Sequence, residues 1–340
     1  MNILVTGGAG FIGTNTVERF AKKAEKIVVL DDLSRKGTMT NLTYLKENIK
    51  NLVFVKGSVA DFDKVLSVYK KYRFGIVFHL AAQVAVTTSV TDPRTDFEVN
   101  ALGAFNMLEG ARLTGQKPVM LYSSTNKVYG GMEEVAIIKK DKKHYGYRDF
   151  PKGISEDFPL DFHSPYGCSK GTGDQYFIDY ARIYGFKTVV FRQSCIYGDH
   201  QWGNEDQGWV AHFLISAIKG RKISIYGDGL QVRDILYVRD LVDLYEAAVC
   251  DIGKVSGKAF NVGGGPGNVI SLLEFLDILE DLTGKKVKYS FGKWRPGDQK
   301  AYISNIAKVK RTLGWEPKYG KKRGIAKLYG WLIDNKGKLK

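Results

Sequence analysis

The sequence predicts an α/β protein: a doubly wound parallel sheet with a smaller C-terminal α/β lobe. Three observations carry this. The first half alternates short apolar runs with amphipathic stretches, the rhythm of parallel strands covered by helices. A glycine-rich turn, Gly7-Gly8-Ala9-Gly10-Phe11-Ile12-Gly13, separates the first apolar run from the first amphipathic one. After Arg192 the rhythm gives way to loops rich in Gly, Asp and aromatic residues, as in a lobe that receives a ligand.

Taken in order, strands are expected near 2–6, 26–30, 52–56, 76–80, 119–123 and 188–192, with helices near 11–22, 63–72, 96–113 and 165–184. The segment 131–163, charged and interrupted by Pro151 and Pro159, reads as a long surface insertion. Further helices are expected near 210–219, 238–250 and 272–282. Gly263-Gly-Gly-Pro-Gly267 lacks the Lys-Ser/Thr of a P-loop and reads as a turn before the helix opening near Ser271. Leu328, Trp331 and Leu332 mark an amphipathic last helix within the lysine-rich tail. With no internal repeat or flexible linker, the two lobes share a core: residues 1–192, joined by part of 230–265, bind a cofactor, and 193–340 mainly bind substrate.

Bulk properties narrow the function. The net charge of +15 is spread along the chain, which argues against a nucleic-acid module and leaves a positive potential suited to an anionic diphosphate. No apolar run approaches the roughly twenty residues of a membrane span, and the first apolar stretch runs at once into glycines, so no leader segment is expected. Cys168, Cys195 and Cys250 are odd in number and lack C-x-x-C spacing; they suggest neither disulfides nor a thiolate zinc site, and fit the cytoplasm. No H-E-x-x-H or carboxylate cluster calls for a metal, and His79, in an apolar strand end, reads as a packed core residue.

The spacing Gly7-x-x-Gly10-x-x-Gly13 between strand and helix suits a dinucleotide. The first glycine permits the tight turn, the second lets backbone approach the pyrophosphate, and the third lets helix and strand pack; this is the Rossmann-type arrangement. Asp31 ends the second strand where a carboxylate reaches the ribose hydroxyls and repels a 2′-phosphate, favouring NAD over NADP. Asp32 reads either as sharing that role or as a turn residue, and Arg35 as a residue able to face a phosphate. Ser58 and Val59, and Leu80-Ala81-Ala82, stand at strand ends along which such a cofactor lies.

Tyr166 and Lys170, four residues apart, project from one face of a helix. The ammonium favours the phenolate, so Tyr166 can accept a proton from a substrate hydroxyl while a hydride leaves its carbon. The run Tyr122-Ser-Ser-Thr125 ends a strand, and its hydroxyls are expected on the same substrate oxygen.

Through Thr6-Gly-Gly-Ala-Gly-Phe-Ile-Gly13, His79-Leu-Ala-Ala82, Tyr166-x-x-x-Lys170 and Tyr226-Gly-Asp-Gly-x-Gln-x-Arg-Asp234, the chain resembles the extended short-chain dehydrogenase/reductase family over nearly its whole length. The resemblance implies tightly bound, catalytic NAD, a nucleotide-sugar substrate, a homodimer through helices near 96–113 and 165–184, and Thr125, Tyr166 and Lys170 as the catalytic group. It extends the cofactor set to Phe11, Ile12, Asn100, Ser123, Tyr166, Lys170 and Gln193. Asn100 reads equally as support for a proton relay or as a maker of local helix hydrogen bonds. Dehydratases of this family carry an acid directly after the threonine or one position later, where this chain has Asn126 and Lys127; an epimerase is therefore expected.

Ser124-Thr-Asn-Lys-Val-Tyr129, His163-Ser-Pro-Tyr-Gly-Cys-Ser-Lys170, Arg192-Gln-Ser-Cys-Ile-Tyr-Gly198 and the run from Glu205 to Phe213 resemble, more narrowly, the CDP-tyvelose (CDP-paratose) 2-epimerase family. That implies a CDP-hexose, with GDP- or UDP-hexoses as alternatives. Gln207, Gly208, Trp209, Val210, Ile225 and Tyr226 would flank the base, Thr125 and Asn126 would meet the sugar, and Arg233 and Arg295 the diphosphate. Either arginine reads alternatively as an ion-pair partner, of Asp234 or Asp298; Asp298 is itself expected at the substrate.

Overall fold

In the computed structural model, which describes residues 1–204, 207–294 and 299–339, a seven-stranded sheet forms the centre. Its strands are β1 (Asn2–Thr6), β2 (Ile27–Asp31), β3 (Leu52–Lys56), β4 (Phe74–His79), β5 (Val119–Thr125), β6 (Lys187–Gln193) and β7 (Lys258–Val262). They run parallel in the order β7-β6-β5-β4-β1-β2-β3. The chain therefore turns back between β1 and β4, which opens a crevice at their carboxyl ends. Ile3, Leu4 and Val5 are fully buried because helices cover both faces, which is why β1 reads as an unbroken apolar run.

A helix and a tryptophan of the second half complete this unit. Val238–Cys250 lays Leu241, Leu244 and Tyr245 into the same core as Ile3, Phe78 and Phe191, and Trp315 closes it. The smaller lobe packs the helices Trp209–Ile218, Leu272–Thr283 and Lys321–Asp334 around Phe213, Leu214, Phe275, Leu279 and Leu328. The last helix buries Ile325, Leu328 and Leu332 and turns Lys322 and Lys327 outward, while Lys321 pairs with Glu274.

Several elements depart from the sequence reading. The helix Thr38–Asn48 was not expected, because Thr and Asn occupy much of it and its apolar stripe is thin. Residues 131–163 are a packed cover, not a surface insertion. The strands Ile137–Lys139 and Tyr145–Tyr147 form a hairpin, Tyr147 and Ile154 are buried, and the Ile154 amide donates to Ile303 O at 2.8 Å. Aromatic and β-branched residues interleaved among the charges do this. The single helix expected over 96–113 is a short helix, Pro93–Phe97, a π-helical turn, Glu98–Leu102, and a second helix, Gly103–Leu113.

One buried ion pair binds these parts. Arg192, in β6, donates from Nε and Nη2 to the two oxygens of Asp174 at 2.9 and 3.0 Å, with side-chain exposures of 5% and 0%. Removing one partner of such a pair strands the other charge in the interior. Arg192→Met should cost about 3–5 kcal/mol in urea denaturation. Arg94→Ala, which breaks the exposed helical pair with Glu98, should cost about 0.5 kcal/mol or less.

Candidate active site

Tyr166 and Lys170 lie on the helix Ser164–Tyr184, which has Pro165 in its first turn and stops at Gly185 in a left-handed conformation, φ 64°. The amide of Tyr166 donates to Ser89 Oγ at 3.2 Å. Thr125, the last residue of β5, has its hydroxyl near enough to the Tyr166 phenol to lower the phenol's pKa. The other expected hydroxyls go elsewhere: Ser124 donates to Asp174 at 2.9 Å and Ser123 acts on the Tyr245 hydroxyl, while Tyr122 lies in the core. Alternation puts Tyr122 and Ser124 on one face and Ser123 and Thr125 on the other, and of these Thr125, at the strand end, is the one that acts on the phenol.

Lys170 is 2% exposed, with its ammonium 4.3 Å from the centre of the Tyr122 ring. Burial pushes its pKa down to about 7, against the pull of Asp96 and Asp174. Burial raises that of Tyr166; the Thr125 hydroxyl and the Arg35 charge oppose the rise, and Asp96 adds to it. Asp96 is held by Ser169 Oγ at 2.5 Å, Asn100 Nδ2 at 3.0 Å and Gln83 Nε2 at 3.1 Å. The π-turn aims Asn100 at these partners: its amide also donates to Gln83 O at 2.9 Å, and its oxygen accepts the Gln83 amide at 3.0 Å. Asn100 thus braces the Asp96 side of the helix carrying Lys170.

The crevice between β1 and β4 fits a dinucleotide. Gly7 has φ 64°, and a Cβ there would stand 2.8 Å from Ala81 Cα; one at Gly13 would stand 2.1 Å from Gly7 O. The glycines thereby bring bare backbone to the start of the helix Phe11–Ala21, whose Phe11 and Ile12 pack against the core. At the end of β2, Asp31 accepts the amides of Ala9 at 3.0 Å and Leu33 at 2.9 Å. Burial raises the Asp31 pKa, and these two hydrogen bonds lower it. Asp32 accepts the Ser34 amide at 2.9 Å as a turn residue does. The Arg35 charge is felt by both Asp31 and Tyr166.

Along the strand ends, Ser58 Oγ accepts the Ala60 amide, Val59 is buried beneath Gly103, and Leu80 and Ala81 both donate amides to Thr6 Oγ1 at 3.2 Å, with Ala82 following half-buried. Gln193 donates to the Tyr245 hydroxyl at 2.7 Å. His79 is a core residue, as expected: its Nδ1 lies 2.8 Å from Thr6 Oγ1, and burial drives its pKa down to about 3.

On the substrate side, Asn126 opens a 3-10 turn, Asn126–Tyr129, directly after Thr125. Gln207 exchanges backbone hydrogen bonds with Asn204, and Gly208, φ 73°, starts the helix carrying Trp209. The side chains of Val210 and Ile225, 2% and 0% exposed, lie in the lobe's core, whereas Tyr226 ends its strand half-buried. Arg233 donates to Gln299 O at 2.8 Å. The carboxylate of its neighbour Asp234 accepts from the Ser194 hydroxyl and the amides of Gly265 and Ser304. Arg295 and Asp298 lie outside the described residues. A cavity of about 490 Å³, bounded by Val86, Lys127, Tyr147, Ser164 and Gln299, adjoins the helix start. Among the described residues no group of three His, Cys, Asp or Glu side chains is arranged to hold a metal ion.

Asp96, Asp174 and Gln299 were missed from sequence. No local pattern marks them, because each acts on residues distant along the chain.

Residues 4–328 match the family model described as GDP-mannose 4,6 dehydratase. The CDP-paratose 2-epimerase of Salmonella typhi is 41% identical over 97% of this chain and 99% of its own. Among solved structures, the UDP-glucose 4-epimerase of Thermotoga maritima with UDP-glucose superposes with a TM-score of 0.85 at 31% identity, covering 98% of this chain and 99% of that one. The UDP-glucose 4-epimerase of Thermus thermophilus, in complex with NAD, does so with a TM-score of 0.80 at 30% identity and the same coverage.

The depressed Lys170 pKa has a consequence for stability. Between about 7 and the ordinary 10.5 the unfolded chain holds a proton that the folded chain lacks, so this group makes stability rise with pH across that window. Lys170→Met removes the slope. In urea denaturation of cofactor-free protein, the stability of the variant relative to wild type should be greatest below pH 7 and fall steadily toward pH 10.5.

Proposed function

Since the chain belongs to the extended short-chain dehydrogenase/reductase family, in the branch matched by the GDP-mannose 4,6 dehydratase model, we propose that it is an NAD-dependent isomerase inverting C2 of a nucleotide-activated hexose, of the CDP-paratose to CDP-tyvelose type. One observation carries the reading: the Thr125 hydroxyl acts on the Tyr166 phenol, with Lys170 one turn on, while residues 126 and 127 offer no carboxylate for water elimination.

Tyr166 takes the proton of the C2 hydroxyl and later returns one. Thr125 orients that oxygen, and the Lys170 ammonium favours the phenolate. Bound NAD would supply the acceptor and donor of the C2 hydride, so that no external oxidant is consumed. The backbone of Gly7, Gly10 and Gly13 would hold its pyrophosphate, Asp31 the adenosine ribose, and Lys170 the nicotinamide ribose. We assign residues 1–192 with part of 230–265 to this task, and the remainder mainly to the nucleotide sugar. Gln207, Gly208, Trp209 and Tyr226 flank the base, with Val210 and Ile225 as their support, and Arg233 and Arg295 meet the diphosphate.

The free cysteines fit a cytoplasmic enzyme, and no described helix is long and apolar enough to cross a membrane. Exposed Phe97, Tyr176, Ile183 and Tyr184, on or beside the helices 103–113 and 164–184, favour a homodimer, which light scattering tests. The likeness to UDP-glucose 4-epimerases favours one second reading, inversion at C4 with the same Tyr166 and Lys170.

The deciding experiment incubates protein with CDP-paratose and a panel of CDP-, GDP- and UDP-hexoses in heavy water, with no added cofactor. Proton NMR should show C2 inverting with its hydrogen retained. Solvent exchange at C2 sinks the internal hydride return, and C4 inversion moves the enzyme to the second reading. Tyr166→Phe should lower kcat by about 10²–10⁴-fold without loss of bound NAD.

A further inference from the structure

Inversion at C2 places a demand on charge. C2 is the ring carbon next to the anomeric centre that bears the diphosphate, whereas C4 lies across the ring from it. Bringing C2 to Tyr166 therefore draws the diphosphate in beside Thr125, where protein replaces water. An anion placed there requires a cation aimed at it.

Lys127 stands in that place. Its backbone amide donates to Thr125 Oγ1 at 3.2 Å, which fixes it at the reacting end of β5. Its carbonyl lies against the helix of Tyr166, since a Cβ at Gly167 would stand 3.1 Å from it. Its side chain borders the 490 Å³ cavity, and its ammonium donates to Gln299 Oε1 at 3.2 Å. Gln299 is 7% exposed and is anchored through its own amide to Gly130 O at 2.8 Å. Arg233, from the strand Val232–Asp234, reaches the main-chain carbonyl of the same residue at 2.8 Å. Both charges also oppose the rise that burial imposes on the Cys195 thiol pKa.

We infer that Lys127 and Arg233 form a clamp on the substrate diphosphate, hung on Gln299, in which Lys127 holds the anion next to Thr125 and so selects C2 as the inverted carbon. The inference rests on the C2 reading above and adds the residue that enforces it. An acid at 127, one of the two positions where the dehydratases carry it, would repel the same diphosphate.

The test compares nucleoside mono- and diphosphates, because a residue that merely braced Gln299 would affect both alike. NAD-loaded Lys127→Met is titrated calorimetrically with CMP and CDP. If wild type prefers another base, the matching UMP/UDP or GMP/GDP pair is used. CDP should bind about 10- to 100-fold more weakly than to wild type, and CMP should change by no more than about two-fold. Lys127→Arg should recover most of the CDP affinity, and Lys127→Gln, a milder change, should behave as the methionine variant if that one unfolds early. With the sugar nucleotide, the same loss should appear in kcat/KM for C2 inversion. Equal weakening of CMP and CDP, or none of either, overturns the clamp. Wild-type C4 inversion would instead remove the parent reading, and the two failures are read from different experiments.

Discussion

The site depends on Asp174, a buried carboxylate of the same helix that carries Tyr166 and Lys170. Asp174 accepts from Ser124 in β5 and, on both oxygens, from Arg192 in β6. Arg192 then donates to the Tyr129 hydroxyl at 3.1 Å; Tyr129 donates to Asn261 in β7, and Asn261 to Ile154 O. Three strands, the turn after Thr125 and the packed cover are thereby tied to one helix. Desolvating such a pair is costly, and the paired, fork-shaped geometry offsets that cost while admitting one register of helix on sheet. That register sets Lys170 within reach of both Asp96 and Asp174, and Tyr166 against Thr125.

A second buried carboxylate is handled differently. Asp234 has burial raising its pKa, and hydroxyl and amide donors from Ser194, Gly265 and Ser304 hold it. A Cβ at Gly263 would stand 2.1 Å from Asp234 Oδ2. The run Gly263-Gly-Gly-Pro-Gly267, so like a phosphate loop, is therefore a nest for an anion of the protein itself. Because Ser194 follows β6, Gly265 follows β7 and Ser304 follows the strand Ala301–Tyr302, this carboxylate fastens the smaller lobe to the sheet.

What was legible in the sequence was what local spacing encodes. The expected strands of the first half each fall within about two residues of their ends, because each is an apolar run bounded by turn residues. The glycine turn and the Tyr166–Lys170 pair were legible for the same reason. Asp96, Asp174 and Gln299 were not, since a carboxylate or amide acquires its role from donors brought in by the fold. The hydroxyl run shows the limit between the two: four polar residues looked alike in sequence, yet strand alternation sends Ser124 to Asp174 and sets Ser123 and Thr125 on the other face, where Ser123 acts on Tyr245 and Thr125, at the strand end, on the phenol. Likewise the π-turn at Asn100 follows from side-chain bonds to Gln83 and Asp96 that no helical periodicity foretells.

These relations bear on how one triad serves several chemistries. In the proposed mechanism Tyr166, Thr125 and Lys170 would act on a carbon bearing a hydroxyl and a hydrogen, and every ring carbon of that kind meets the description. The choice of carbon must come from whatever fixes the rest of the sugar nucleotide. Rigid fixtures suit this best, since an anchor that yields lets the ring slide. Gln299 is such a fixture: it is buried, bonded to Gly130 on one side, and met by Lys127 and Arg233 from separate elements. Under the proposed clamp, moving a cation along this wall would move the diphosphate, and with it the carbon that arrives at the phenol, while the triad stays unchanged. Divergence of reaction position within the family then requires substitutions around the anchor and none in the hydride-transfer machinery.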